Sequence, residues 1–230
     1  MKHELPVSLT TKQIRWGTRY LGFELVFLGS ILVLLAQKFA PTIPDAYLDF
    51  SYFLINFAAV FLIFRTFLWQ NLQHTLKNIG AALTCAGIGY VAYWVANFVI
   101  SFAITRLFPD FFNVNDESIA ITSQNHFWLM AIGTVLLVPL AEEVLFRGLI
   151  FGSLHRRNRL LAYAISTVFF AFIHVMGYIG SYNIWMLLLC FVQYLPAGIA
   201  LAWAYERSGS IYAPILIHTA VNAIGMLSSR

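Results

Sequence analysis

Apolar residues recur along this chain in runs long enough to cross ~30 Å of bilayer hydrocarbon at 1.5 Å per residue, with short polar stretches between them. Seven runs are predicted as helical spans: residues 14–37, 47–69, 79–104, 126–154, 160–179, 184–205 and 211–227. The fourth is longer than a crossing needs and is expected to tilt or to end in a surface turn. The third contains Gly80, Gly87 and Gly89 and is expected to be irregular. Residues 105–125 form the longest stretch that does not span, with a short interfacial helix predicted around 108–112. The pattern predicts an all-α fold, a multi-pass transmembrane helical bundle of about seven spans.

Composition sharpens this picture. Sixty per cent of the residues are hydrophobic and 10% are charged, whereas a soluble domain covers its surface with about a quarter charged residues. A soluble fold is excluded, and the net charge of +4 is then a topology signal rather than a nucleic-acid signal. With the amino terminus in the cytoplasm, that side holds Lys2, Lys12, Arg15, Arg19, Arg65, Lys77, Arg156, Arg157, Arg159 and Arg207. The opposite side keeps Lys38, Arg106 and Arg230, together with Asp45, Asp49, Asp110, Asp116 and Glu117. This asymmetry predicts a cytoplasmic amino terminus in a cell membrane. Trp16, Trp69, Trp128, Trp185 and Trp203 fall near span ends, as interfacial belts require. The amino-terminal segment is polar, and no small-residue cleavage site follows the first apolar run, so that run is expected to be a retained anchor. Cys85 and Cys190 lie inside apolar runs and are expected to pack rather than to form a disulfide.

The polar residues divide the chain. Residues 1–125 read as a tail and three supporting spans with few ionisable groups, and 126–230 as a four-span core that carries the chemistry. One charge at mid-helix costs about 2.5–3.5 kcal/mol on translocon scales, yet the fourth span holds Glu142, Glu143 and Arg147. Glu143 and Arg147 stand at i and i+4 and can form an ion pair. Glu142 is rotated by ~100° and must find another partner. His174 on the fifth span, and His218 with Asn222 at i, i+4 on the seventh, supply candidates. At 1.5 Å per residue from the cytoplasmic ends, Glu142 lies roughly 15–18 Å deep, His174 about 20 Å, His218 about 10 Å and Asn222 about 16 Å. Four polar groups on three helices therefore fall within about two helical turns of one level.

Each alone has a plainer explanation, because a His or Asn in a membrane helix commonly serves as an interhelical hydrogen bond and a Glu–Arg pair can be purely structural. Together they suit hydrolysis. Glu142 and His174 can hold and deprotonate a water, and His218 and Asn222 can donate to the oxyanion. No Ser or Cys stands with them to support a covalent route. Two His and one or two Glu also make a plausible zinc set, with Glu142, His174 and His218 as ligands, although the compact H-E-x-x-H helix is missing. His3, His74, His126 and His155 fall in tails or loops and are expected to be solvated. Glu24 is expected near the interface, with no chemical role.

These residues resemble the motifs of the CPBP family, also called the Abi or type II CAAX-protease-like family. E-E-x-x-x-R is present as Glu142, Glu143 and Arg147, F-x-x-x-H as Phe170 and His174, and H-x-x-x-N as His218 and Asn222. The resemblance covers about residues 129–225, with every motif position filled. It implies an intramembrane endopeptidase in which Glu142 and His174 activate water, His218 and Asn222 serve the oxyanion, and Phe170 contacts substrate. Its substrate would be a membrane-embedded or membrane-proximal peptide or protein. Family members are labelled both metalloproteases and metal-independent glutamate proteases, and the reading adopted is no metal cofactor, with zinc as the alternative. Bacterial branches are associated with bacteriocin or pheromone-peptide processing and with self-immunity, and the compact size points to a prokaryotic membrane. A non-catalytic scaffold or immunity protein retaining the core is the main rival. A proton-coupled transporter is another, although no paired halves are visible.

Overall fold

The computed structural model describes residues 5–228 and places them in eight helices joined by short turns. They are α1 (Thr11–Phe39), α2 (Asp45–Lys77), α3 (Ile79–Leu107), α4 (Val114–Ser123), α5 (Phe127–His155), α6 (Arg159–Met176), α7 (Ile184–Ser208) and α8 (Tyr212–Ser228). No strand occurs among the described residues. Six helices are long and apolar enough to cross a membrane, and α8 is an apolar helix of 17 residues, near the lower limit for a crossing. The chain is an all-α multi-pass membrane protein.

Boundaries moved mainly outwards, because capping residues and polar turns continue helices past their apolar stretches. Thr10 opens α1 with a reciprocal cap: its hydroxyl accepts from the Gln13 amide, and the Gln13 side chain accepts from the Thr10 amide. The third span is an uninterrupted α-helix, contrary to the irregularity expected from its glycines. Gly80 and Gly87 face open space, while Gly89 lets α3 approach Ile217 and Ala204. The interfacial helix also lies further along than 108–112. Asn113 sets its start by accepting from the amides of Asn115 and Asp116, and the acidic pair Asp116 and Glu117 suits a helix amino terminus.

The long fourth span remains one helix but is not regular. Two π-helical segments, Gly133–Leu137 and Val144–Phe151, flank the Glu142–Glu143 pair, and a third, Glu24–Leu28, interrupts α1. A π segment re-aims side chains and loosens the i→i−4 ladder, which accommodates Pro139 just after the first of them. Helix α5 is the axis of the bundle, packed by α1, α2, α6 and α8, and α7 lies against α3, α6 and α8. Gly198 of α7 permits a close approach to α6, since a Cβ there would sit 2.6 Å from Cγ2 of Thr167.

Candidate active site

The motif residues separate by burial into two groups. Glu143 and Arg147 are fully buried, His218 is 5% exposed and Phe170 2%. Glu142, His174 and Asn222 are only half-buried. The first group forms one closed arrangement. Oε1 of Glu143 accepts from Nη1 of Arg147 at 3.0 Å and from Nδ1 of His218 at 2.8 Å. Nη2 of Arg147 donates to the Gly198 carbonyl at 3.2 Å, and the guanidinium stacks over the Phe170 ring at 4.2 Å. Phe170 also meets Phe146, His174 and His218, with ring centroids 5.9, 4.7 and 5.7 Å away. Four helices are thereby tied through one buried ion pair and one aromatic ring. The Glu143–Arg147 pair read from i, i+4 spacing is present, and Phe170 is a buried platform rather than a wall open to substrate.

The second group keeps reactive atoms free. The Glu142 side chain makes no hydrogen bond to any described residue, and its Oε2 is covered. Buried polar atoms ordinarily have partners, so such an oxygen suits a bound water or ligand. Nδ1 of His174 lies 2.7 Å from the Phe170 carbonyl. A carbonyl only accepts, so Nδ1 carries the proton and Nε2 of the neutral ring holds a lone pair. Asn222 donates through Nδ2 to the Thr134 carbonyl at 2.8 Å and retains its second amide hydrogen. No direct hydrogen bond joins Glu142 to His174. His218 is not the free donor expected: with Nδ1–H given to Glu143, it donates through Nε2 only when doubly protonated. Among the described residues, no three His, Cys, Asp or Glu side chains are grouped as a metal ion would require. The zinc set of Glu142, His174 and His218 therefore does not fit this arrangement.

Two clusters escaped the sequence reading. Glu24 is 7% exposed, enclosed by the bundle rather than open to water. Its Oε1 accepts from the Tyr52 hydroxyl at 2.7 Å and from Nδ2 of Asn56 at 3.2 Å, while Oε2 is covered and unpartnered. It stands within electrostatic reach of Glu142. An acid inside an apolar span was the available signal, but its closeness to Arg19 and Tyr20 favoured an interfacial reading. The second cluster is on the side expected to be cytoplasmic. Glu206, 4% exposed, accepts from His155 Nε2 at 2.7 Å, from Arg159 at 2.6 and 2.8 Å, and from the Tyr163 hydroxyl at 2.7 Å. His155 is therefore enclosed rather than solvated. His74 and His126 are half-buried, with His126 against the Tyr47 ring, and His3 lies outside the described residues. These contacts join sequence-distant residues, which periodicity cannot show.

Residues 124–224 match the family described as type II CAAX prenyl endopeptidase Rce1-like, a segment that holds every motif position above. The resemblance read from the motifs is thus borne out over that segment, as a likeness to a membrane peptidase family. The chain is 36% identical over 90 residues to the "UPF0177 protein YxdF" of Lactococcus lactis. It is 34% identical over 95 residues to the "Putative membrane peptidase YdiL" of Bacillus subtilis. These alignments cover 39% and 41% of this chain, and 44% and 34% of the relatives, so the chain spans less than half of each. A 24.3 kDa protein of Escherichia coli, described as uncharacterized, is 24% identical over 96% of this chain and 93% of its own length. No solved structure matches.

Proposed function

We propose that the chain is an intramembrane endopeptidase that hydrolyses a peptide bond of a membrane-embedded or membrane-proximal substrate with water activated by Glu142 and His174. The observation that carries this reading is the division within the motifs. Glu143 bonds to Arg147 and His218, with Phe170 packed against Arg147 and His218, whereas the Glu142 side chain and Nε2 of His174 have no hydrogen-bond partner in residues that are only half-buried. A scaffold would have use for the first group but none for the second.

In this scheme a water lies between the Glu142 carboxylate and His174 Nε2. One water proton passes to Glu142 as the oxygen attacks the carbonyl carbon. The charge on the former carbonyl oxygen is met by the free amide hydrogen of Asn222, and by Nε2–H of His218 when that ring is doubly protonated. Collapse breaks the C–N bond, and the proton held by Glu142 passes to the departing amine. Glu143 and Arg147 hold α5, α7 and α8 in register and touch no reacting atom.

The amino terminus is placed in the cytoplasm of a prokaryotic plasma membrane as part of the same proposal. Processing of a bacteriocin or pheromone-type peptide, or a self-immunity role, fits a peptidase of this kind in a bacterial membrane. The mechanism is tested with purified protein and a panel of membrane-proximal peptides, with and without a chelator. Cleavage should survive the chelator, and Asn222→Ala should lower turnover by about 10²–10³, as loss of one oxyanion donor does elsewhere. Stoichiometric zinc that disappears in His174→Ala and His218→Ala proteins would defeat the metal-free scheme.

A further inference from the structure

His174 stands two residues from the end of α6, where the helix gives way to the Gly177 turn, so its own backbone offers little support on one side. One hydrogen bond, from Nδ1 to the Phe170 carbonyl, fixes one edge of the imidazole. A single bond at an edge leaves the ring free to rock, and the direction of Nε2 would rock with it. A second constraint comes from α7. The Tyr194 ring stacks on the His174 ring with centroids 4.1 Å apart and planes inclined by 28°.

Tyr194 is itself held from its far end. Its hydroxyl lies 2.9 Å from Oδ1 of Asp116 and 3.2 Å from Oδ1 of Asn113, and accepts from Nδ2 of Asn115 at 3.1 Å. All three residues belong to the first turn of α4 or its cap. The preceding residue of α7, Gln193, accepts from Asn113 at 2.8 Å and donates to Ser101 of α3 at 2.9 Å, which fixes this part of α7 against two helices. An unbroken series of contacts therefore runs from α4 through the tyrosine to the free nitrogen of His174.

We propose that Tyr194 is a positioning residue for His174, with the α4 amino-terminal turn as its anchor, so that a helix outside the family-matched segment helps to aim the imidazole. This rests on the peptidase reading for its consequence in turnover, but not for its consequence in ring geometry. Misplacement of a proton-transfer group by about 1 Å costs on the order of 10²-fold in rate.

The test uses the full chain in detergent micelles, with Tyr194→Leu, which removes the stack, and Tyr194→Phe, which keeps it. Tyr194→Leu should lower kcat about 10²-fold per folded molecule with KM within about twofold, and Tyr194→Phe should recover at least tenfold of that loss. Imidazole 15N spectra, with His174 assigned by its loss in His174→Gln, should show a protonated Nδ1 and an unprotonated Nε2 in the wild type. In Tyr194→Leu these signals should broaden or mix between tautomers. A purely structural tyrosine would lower the melting temperature while leaving kcat per folded molecule and the His174 signals unchanged, and that result would overturn the proposal. If the wild type cleaves none of the peptides, the peptidase reading fails, and the imidazole spectra still decide whether Tyr194 positions the ring.

Discussion

Helices α1 and α5 are both 29 residues long and similarly apolar, but they face different surroundings. Half of the most apolar window of α5 is buried inside the protein, against 11% for α1 and for α3. Apolar character therefore marks both as membrane helices without saying which one is central. The polar positions say it. Glu143 and Arg147 of α5 pair with each other, which lowers the cost of burying them, and their further bonds to His218 and the Gly198 carbonyl draw α8 and α7 around that helix. Around α1–α3 the surface is mostly lipid-type side chains, with Glu24 as the buried ionisable residue of the described part of that half.

The contrast is broken most sharply at Arg147. Arg147→Ala takes the cation from the Glu143 carboxylate where no solvent reaches it, leaving the His218 hydrogen bond alone, and removing one partner of a buried pair costs about 3–5 kcal/mol. The variant should accumulate poorly, whereas Leu34→Ala on the exposed face of α1 should behave as wild type. Quantified expression and thermal unfolding in detergent compare them, and equal behaviour would mean that α5 is not the structural axis. A smaller effect is expected at Gly198. The Cβ of Gly198→Ala would meet Thr167 and press α7 off α6, which typically costs about 1–3 kcal/mol. Gly87→Ala, in open space on α3, should be neutral or raise the melting temperature. The smallest effect blurs the comparison from the other side. Glu24→Gln keeps the side-chain shape beside Tyr52 and Asn56 but removes a charge near Glu142, so turnover should change by about tenfold with melting almost unaltered. Unaltered turnover would return α1 to a purely supporting role.

The number of helices and their approximate ends were legible because the apolar runs and their polar breaks are local properties. The Glu143–Arg147 pair was legible for the same reason: its spacing is a property of one helix. His218 could be read only as one candidate partner of Glu142, because depth along separate helices gives a level and not an azimuth. The structure puts its Nδ1 on Glu143, and Glu142 is left free. Tyr194 and Glu206 were invisible for a related reason, since each acts through residues far along the chain. The π segments beside Glu24 and Glu142 re-aim these side chains in a way that a regular 3.6-residue period does not anticipate.

In the proposed mechanism Glu142 is the free carboxylate that activates water while its neighbour Glu143 holds the bundle together. The direct measurement is hydrolysis of membrane-proximal peptides by wild-type and Glu142→Gln proteins reconstituted in liposomes, with product mass spectra and melting temperatures recorded on the same preparations. Removing a general base lowers the rate by about 10²–10⁴. Glu142→Gln should therefore melt within a few degrees of the wild type and lose turnover on that scale. A Glu142→Gln protein that cleaves at the wild-type rate would rule out Glu142 as the base.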